Sequence, residues 1–67
     1  MRASKWEADR RYWHTGHVAA HAYLDRKGDA RWYTDTGSIR CCGRSDSLAE
    51  ARAACDLILA MPFHWTW

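Results

Sequence analysis

At 67 residues and a formal charge of +2, the chain holds one small domain at most, residues 1–67, and buries only about 60% of its unfolded surface. Five Trp, three Tyr and one Phe exclude low-complexity disorder. Acids and bases are mixed along the chain, which excludes an acidic DNA mimic and a strongly basic nucleic-acid binder alike.

The first residues, "MRASKWEADRR", lack an apolar core of signal-peptide length. No run approaches the roughly 18 apolar residues of a membrane span, so a soluble cytoplasmic protein is expected. In "SKWEADRRYWHTG", Ser4 and Glu7 make a capping-box pattern, Trp6 and Trp13 lie two turns apart, and Gly16 suits a C-cap. We read a short helix there; in the alternative, "RYWH" extends the first strand.

"HVAAHAYLD" alternates Val18, Ala20, Ala22 and Leu24 with His17, Ala19, His21 and Tyr23, the pattern of a half-buried strand. "ARWYTD" follows, with Ala30, Trp32 and Thr34 opposed to Arg31, Tyr33 and Asp35. A three-residue loop, Arg26-Lys27-Gly28, pairs Leu24 with Ala30 and Ala22 with Trp32, with Gly28 in the left-handed position the loop demands. A two-residue turn on Thr36-Gly37 then pairs Thr34 with Ile39 and Trp32 with Cys41. One face of the resulting three-stranded antiparallel meander collects Val18, Ala20, Ala22, Leu24, Trp32, Ile39 and Cys41. The other collects His17, His21, Tyr23, Arg31, Tyr33, Arg40 and Cys42.

"GRSDSLAE" breaks the last strand and starts a helix, with Ser47 and Glu50 as its capping box. Leu48, Ala51, Ala54, Cys55, Ile58, Leu59 and Met61 share an arc of about 160°, at ~100° per residue. Arg52 and Asp56 form an i,i+4 pair on the opposite side, and Pro62 ends the helix. The fold class expected is α+β: a three-stranded meander packed on one C-terminal helix through Val18, Leu24, Trp32, Ile39 and Ile58. In the tail "MPFHWTW", Phe63, Trp65 and Trp67 fall on one side of an extended segment. Phe63 is expected to complete a thin core. With Trp6 and Trp13, these rings exceed what such a core absorbs, so Trp65 or Trp67 is expected to reach a partner.

Three chemistries compete for the polar residues. His14, His17, His21, His64 and three cysteines are numerous enough for zinc, but no Cys-x-x-Cys pair exists. His17 and His21 on one strand stand about 13–14 Å apart, so no metal site or cofactor is expected. Cys41 and Cys42 point to opposite faces of a strand, a poor disulfide geometry, and the odd count fits a reducing compartment. Cys42 shares a face with His21, yet no nucleophile elbow or oxyanion hole accompanies it, and no catalytic residue is assigned. The remaining candidate is the open sheet face. Tyr23, Arg31, Tyr33 and Arg40 combine rings and cations as protein hot spots do, and as stacking platforms for single-stranded nucleic acid do. The expected contact residues are therefore Tyr23, Arg31, Tyr33, Arg40, Trp65 and Trp67.

The span His17 to Ala60, "HVAAHAYLDRKGDARWYTDTGSIRCCGRSDSLAEARAACDLILA", resembles small accessory proteins of bacteriophages and mobile elements, the anti-CRISPR proteins prominent among them. The resemblance lies in length and in the plan of meander plus helix, and it carries over no individual residue. It implies a non-enzymatic inhibitor that docks on a host protein or a CRISPR-type ribonucleoprotein complex in the host cytoplasm. A small single-stranded nucleic-acid-binding module is the alternative, and a homodimer using the surplus aromatics is a third reading.

Overall fold

The computed structural model describes residues 3–37 and 39–60. Its central hairpin follows from turn chemistry. β2 (Val18–Leu24) and β3 (Ala30–Asp35) pair Leu24 with Ala30 and Ala22 with Trp32, the register read from the sequence. Gly28 takes a φ of +85°, and Asp25 closes the loop by accepting the backbone N–H groups of Lys27 and Asp29 on one carboxylate oxygen.

The second hairpin differs in register. β4 (Arg40–Ser45) pairs Cys41 with Thr34 and Gly43 with Trp32, two residues on from the expected partners. The turn sits one residue further along, closed by the Thr36 N–H donating to the Ile39 carbonyl at 3.1 Å. That shift puts Gly37, at a φ of +91°, in the first central position, where type II′ hairpins need positive φ. Because the slip is even, every side chain keeps its expected face.

β4 also runs straight through Gly43, which the sequence suggests as a strand breaker. The glycine is needed because the Trp32 indole lies over it: a Cβ there would stand 2.7 Å from Trp32 Cζ2.

The chain before β2 is a strand, not a helix. β1 (Arg10–Tyr12) adds to the far side of β2, so the sheet has four antiparallel strands in the order β1-β2-β3-β4 rather than three. Ser4 and Glu7 do interact, with the Ser4 hydroxyl 3.3 Å from Glu7 Oε2, but in a fold-back rather than a cap. The chain reverses at Ala8, whose φ is +60°, between reciprocal Glu7 and Arg10 backbone bonds. The Ser4 N–H then donates to the Tyr12 carbonyl at 2.7 Å and the Tyr12 N–H to the Ser4 hydroxyl at 3.0 Å.

Pairing of β1 with β2 carries a bulge: Arg11 opposes Ala20 while Tyr12 opposes Val18, leaving Ala19 as the extra residue. Ala19 and Ala20 are both fully buried against Cys55 and Leu59, which corrects the expectation that Ala19 faces outward.

Helix α1 (Leu48–Leu59) starts where its cap demands. Ser47 accepts the Glu50 N–H at 3.2 Å, and the Glu50 carboxylate accepts the Asp46 N–H at 3.3 Å. It buries Ala51, Cys55 and Leu59 against the sheet. Two adjoining clusters form the core, Ala19, Ala20, Cys55 and Leu59 beside Ala22, Ala30 and Ala51. Among the described residues every core residue except Leu59 is small, which allows the helix a close approach to the strands. Trp6 and Trp32 pack against both clusters and Trp13 against the first, supplying the bulk that the core lacks. Leu24 is 57% exposed, Val18, Ile39 and Ile58 are half-buried, and none of the four belongs to these clusters. Of the five residues expected to join sheet and helix, Trp32 packs against both clusters.

Arg52 and Asp56 do not form the expected solvent-side pair. Asp56 Oδ1 accepts from Trp6 Nε1 at 2.9 Å and from Arg11 Nη1 at 2.7 Å. Arg52 lies 5.7 Å over the Trp6 ring and donates to the Ala8 carbonyl at 3.1 Å. The N-terminal fold-back is thereby stapled to the helix. No helix among the described residues is long and apolar enough to cross a membrane. Met61, Pro62, Phe63, Trp65 and Trp67, for which the sequence raises expectations, lie outside the described residues.

Candidate interaction surface on the open sheet face

Helix α1 covers one face of the sheet; the other is uncovered by any described element. Strand register lays out its contents in rows. Arg10, His21, Tyr33 and Cys42 stand side by side across the four strands. The next row holds Tyr23, Arg31 and Arg44, and Asp35 pairs with Arg40 toward the other end. Tyr23, Arg31, Tyr33 and Arg40, the four contact residues expected within the described chain, therefore do share one face.

His21 is the centre of this surface. Its ring lies 4.6 Å from that of Tyr23 at an interplanar angle of 32°, and 5.6 Å from Tyr33 in an edge-on contact at 83°. Its Nε2 sits 2.9 Å from Asp9 Oδ2, so the loop before β1 reaches onto the face. That hydrogen bond is the main reason the Asp9 carboxyl is held below the usual carboxylate range. The rings are thus held together in one patch by their mutual contacts and by Asp9.

Around this patch every arginine has a carboxylate. Arg31 Nε meets Asp25 Oδ2 at 2.6 Å, Arg40 meets Asp35 at 3.3 Å, Arg10 meets Asp9 at 3.5 Å and Arg44 meets Asp29 at 3.6 Å. The Arg31 hydrogen bond lowers the pKa of Asp25, and the same contact raises that of Arg31. Four arginines and four aspartates make a face of alternating sign. A phosphate backbone would have to displace these carboxylates to use the arginines, whereas a protein surface of mixed charge meets them as they stand.

Sequence reasoning missed Asp9, Arg10 and Arg44. Asp9 and Arg10 were hidden by the helical reading of the N-terminal stretch; the alternative in which "RYWH" extends the strand contained the signal. Arg44 was hidden by reading Gly43 as the end of the strand.

The arrangement does not assemble a nucleophile. Cys42 stands two strands away from His21 in its row, roughly 9–10 Å at ~4.8 Å per strand. Cys55 is buried on the sheet-facing side of the helix with its thiol pKa pushed up to about 11 by desolvation, so it stays protonated. A cleft of about 330 Å³ lies apart from the face centre, lined by residues that include Trp13, His17, Val18 and Thr36. The Trp13 indole forms one wall and is fixed by donating to the Asp35 carbonyl at 2.7 Å. His14 and His17 are exposed, and His17 bonds to Thr15 rather than approaching His21. Among the described residues, no three of His, Cys, Asp and Glu converge as metal ligands would.

Comparison with protein-family models, with curated proteins and with solved structures finds no match to this chain.

Proposed function

We propose that this chain is a non-enzymatic binding protein that docks on a larger protein or ribonucleoprotein complex through its open sheet face and blocks it sterically. One observation carries the reading. A pre-stacked His21, Tyr23 and Tyr33 patch, ringed by carboxylate-paired arginines, occupies the face that the helix leaves uncovered. Rigid rings lose little entropy on binding, and a rim of both charges favours a protein partner over a bare polyanion. The class that fits best is the phage-encoded inhibitor of the anti-CRISPR kind, whose action needs a surface and no chemistry. A single-stranded nucleic acid stacked on Tyr23 and Tyr33 is the rival occupant.

The test has two arms. In cells carrying an active CRISPR-type defence, expression of the chain should restore phage plating. The Tyr23→Ala/Tyr33→Ala variant should lose that effect while melting at the wild-type temperature, since both rings sit outside the core. Fluorescence anisotropy with labelled single strands should show weak binding. A tight, steeply salt-dependent complex, lost in Tyr33→Ala/Arg31→Ala, would replace the inhibitor reading with the nucleic-acid one.

A further inference from the structure

The two edges of the sheet are built differently, and the difference goes beyond the open-face reading. The β1 edge is defended: its strand has three residues, the Ser4 to Glu7 segment folds back along it, and a bulge distorts its pairing. β4 has six residues, no bulge and no proline, and none of the described strands pairs with its outer side.

Its free backbone groups can be assigned. The Thr36 to Ile39 hydrogen bond continues the β3–β4 ladder, and antiparallel pairs alternate between bonded and non-bonded. The pairs Thr34–Cys41, Trp32–Gly43 and Ala30–Ser45 are then the bonded ones. The N–H and C=O groups of Arg40, Cys42 and Arg44 consequently point off the sheet. The side chains of the same three residues rise on the open face. Arg40 and Arg44, four residues apart, have side chains 85% and 64% exposed, and their ion pairs are longer than that of Arg31. An incoming carboxylate therefore displaces Asp35 and Asp29 from them more readily than it would Asp25 from Arg31. On the other face Cys41, Gly43 and Ser45 are small, and the helix lies over β2 and β3 more than over β4.

We infer that the outer edge of β4 accepts an extended segment of a partner protein by β-augmentation, one that carries acidic side chains four residues apart opposite Arg40 and Arg44 and apolar ones on the helix side. Charge decides the occupant. A second copy pairing antiparallel about Cys42 would set Arg40 of each copy opposite Arg44 of the other, whereas an acidic strand places opposite charges across both positions.

Amide hydrogen exchange on the full chain, read by NMR, tests this with two blocked peptides, Ser-Glu-Val-Thr-Val-Glu-Ser and its counterpart with Lys for both Glu. The acidic peptide should slow exchange at Arg40, Cys42 and Arg44, and should bind about tenfold more tightly than the Lys peptide. Cys42→Pro removes the central outward donor, is tolerated on an edge strand, and should abolish the protection. Arg40→Glu/Arg44→Glu keeps the β4 backbone and should reverse the preference toward the Lys peptide, which tests the proposal even where the proline variant does not fold. Protection by neither peptide, or equal protection by both, overturns the proposal. Protection of the same amides without peptide, growing with protein concentration, overturns it in favour of a second copy. Tyr23→Ala/Tyr33→Ala should leave peptide binding at the edge intact, so the edge and the open face succeed or fail separately.

Discussion

The two faces of this sheet solve opposite problems with opposite side chains. The covered face is built from Ala20, Ala22, Ala30, Thr34 and Gly43 around Trp32, and among the described residues the largest fully buried side chains are Thr34 and Cys55. The open face carries His21, two tyrosines and four arginines. Apart from Trp32, the larger strand residues thus lie on the face that no described element covers, and the small ones where the helix rests. A small domain usually places its bulk inside. Here the bulk comes from the partly buried Trp6, Trp13 and Trp32, whose apolar rings pack against the alanine clusters. The indole N–H groups of Trp6 and Trp13 reach polar partners, which a deep core would deny them. The surplus of tryptophan noted in the sequence is therefore consumed in part by structure. Among the described residues, the tyrosine and histidine patch takes no part in this packing.

If these rings hold the covered face together, losses should rank by how much of the alanine layer each change exposes. Trp32→Ala removes one of the two rings that touch both clusters and should cost ~3–5 kcal/mol, enough to bring a domain of this size close to unfolding in a urea melt. A wild-type midpoint for this variant would break the comparison outright. Gly43→Ala should cost about 1–3 kcal/mol, because the new methyl meets the rigid face of the Trp32 indole rather than a flexible side-chain end. Combining Gly43→Ala with Trp32→Ala should cost less than the sum, and a double-mutant cycle measures that coupling. Asp56→Ala leaves Trp6 Nε1 and the largely buried Arg11 guanidinium without their shared acceptor. It should cost about 1–2 kcal/mol and increase hydrogen exchange in the Ser4 to Tyr12 fold-back before it affects β3.

The smallest effect belongs to the open face and concerns pH. Asp9 and Asp25 both have folded-state pKa values below the ordinary 3.8, Asp9 chiefly through His21 and Asp25 chiefly through Arg31. Stability from a depressed carboxyl is fully present above its unfolded value and is lost as pH falls through the folded one. The melting temperature should accordingly hold level down to about pH 5 and decline below about pH 4. In Asp9→Asn/Asp25→Asn the decline should be shallower. These pairs are solvent-screened, so the difference should stay well below that of Trp32→Ala.

Much of the framework is local and was legible in the residues. The β2–β3 register follows from Gly28 and from alternation, the start of α1 from Ser47 and Glu50, and the grouping of Tyr23, Arg31, Tyr33 and Arg40 from a two-residue period that an even register slip leaves unchanged. These signals act within a few residues, through turn dihedrals, a capping hydrogen bond and side-chain direction. Tertiary structure decided the rest. Ser4 and Glu7 read as a helix cap because a capping box and a fold-back use the same side chains. Only the open side of β2, and Asp56 waiting on the helix for Trp6 and Arg11, selects the strand. Gly43 reads as a breaker until Trp32 is laid across it, and Ala19 reads as outward until β1 imposes the bulge. Asp9 joins the open face through His21, a partner twelve positions on that no local pattern couples to it. In each of these cases the deciding contact lies across the sheet or between sheet, helix and fold-back, where sequence spacing carries no information about distance.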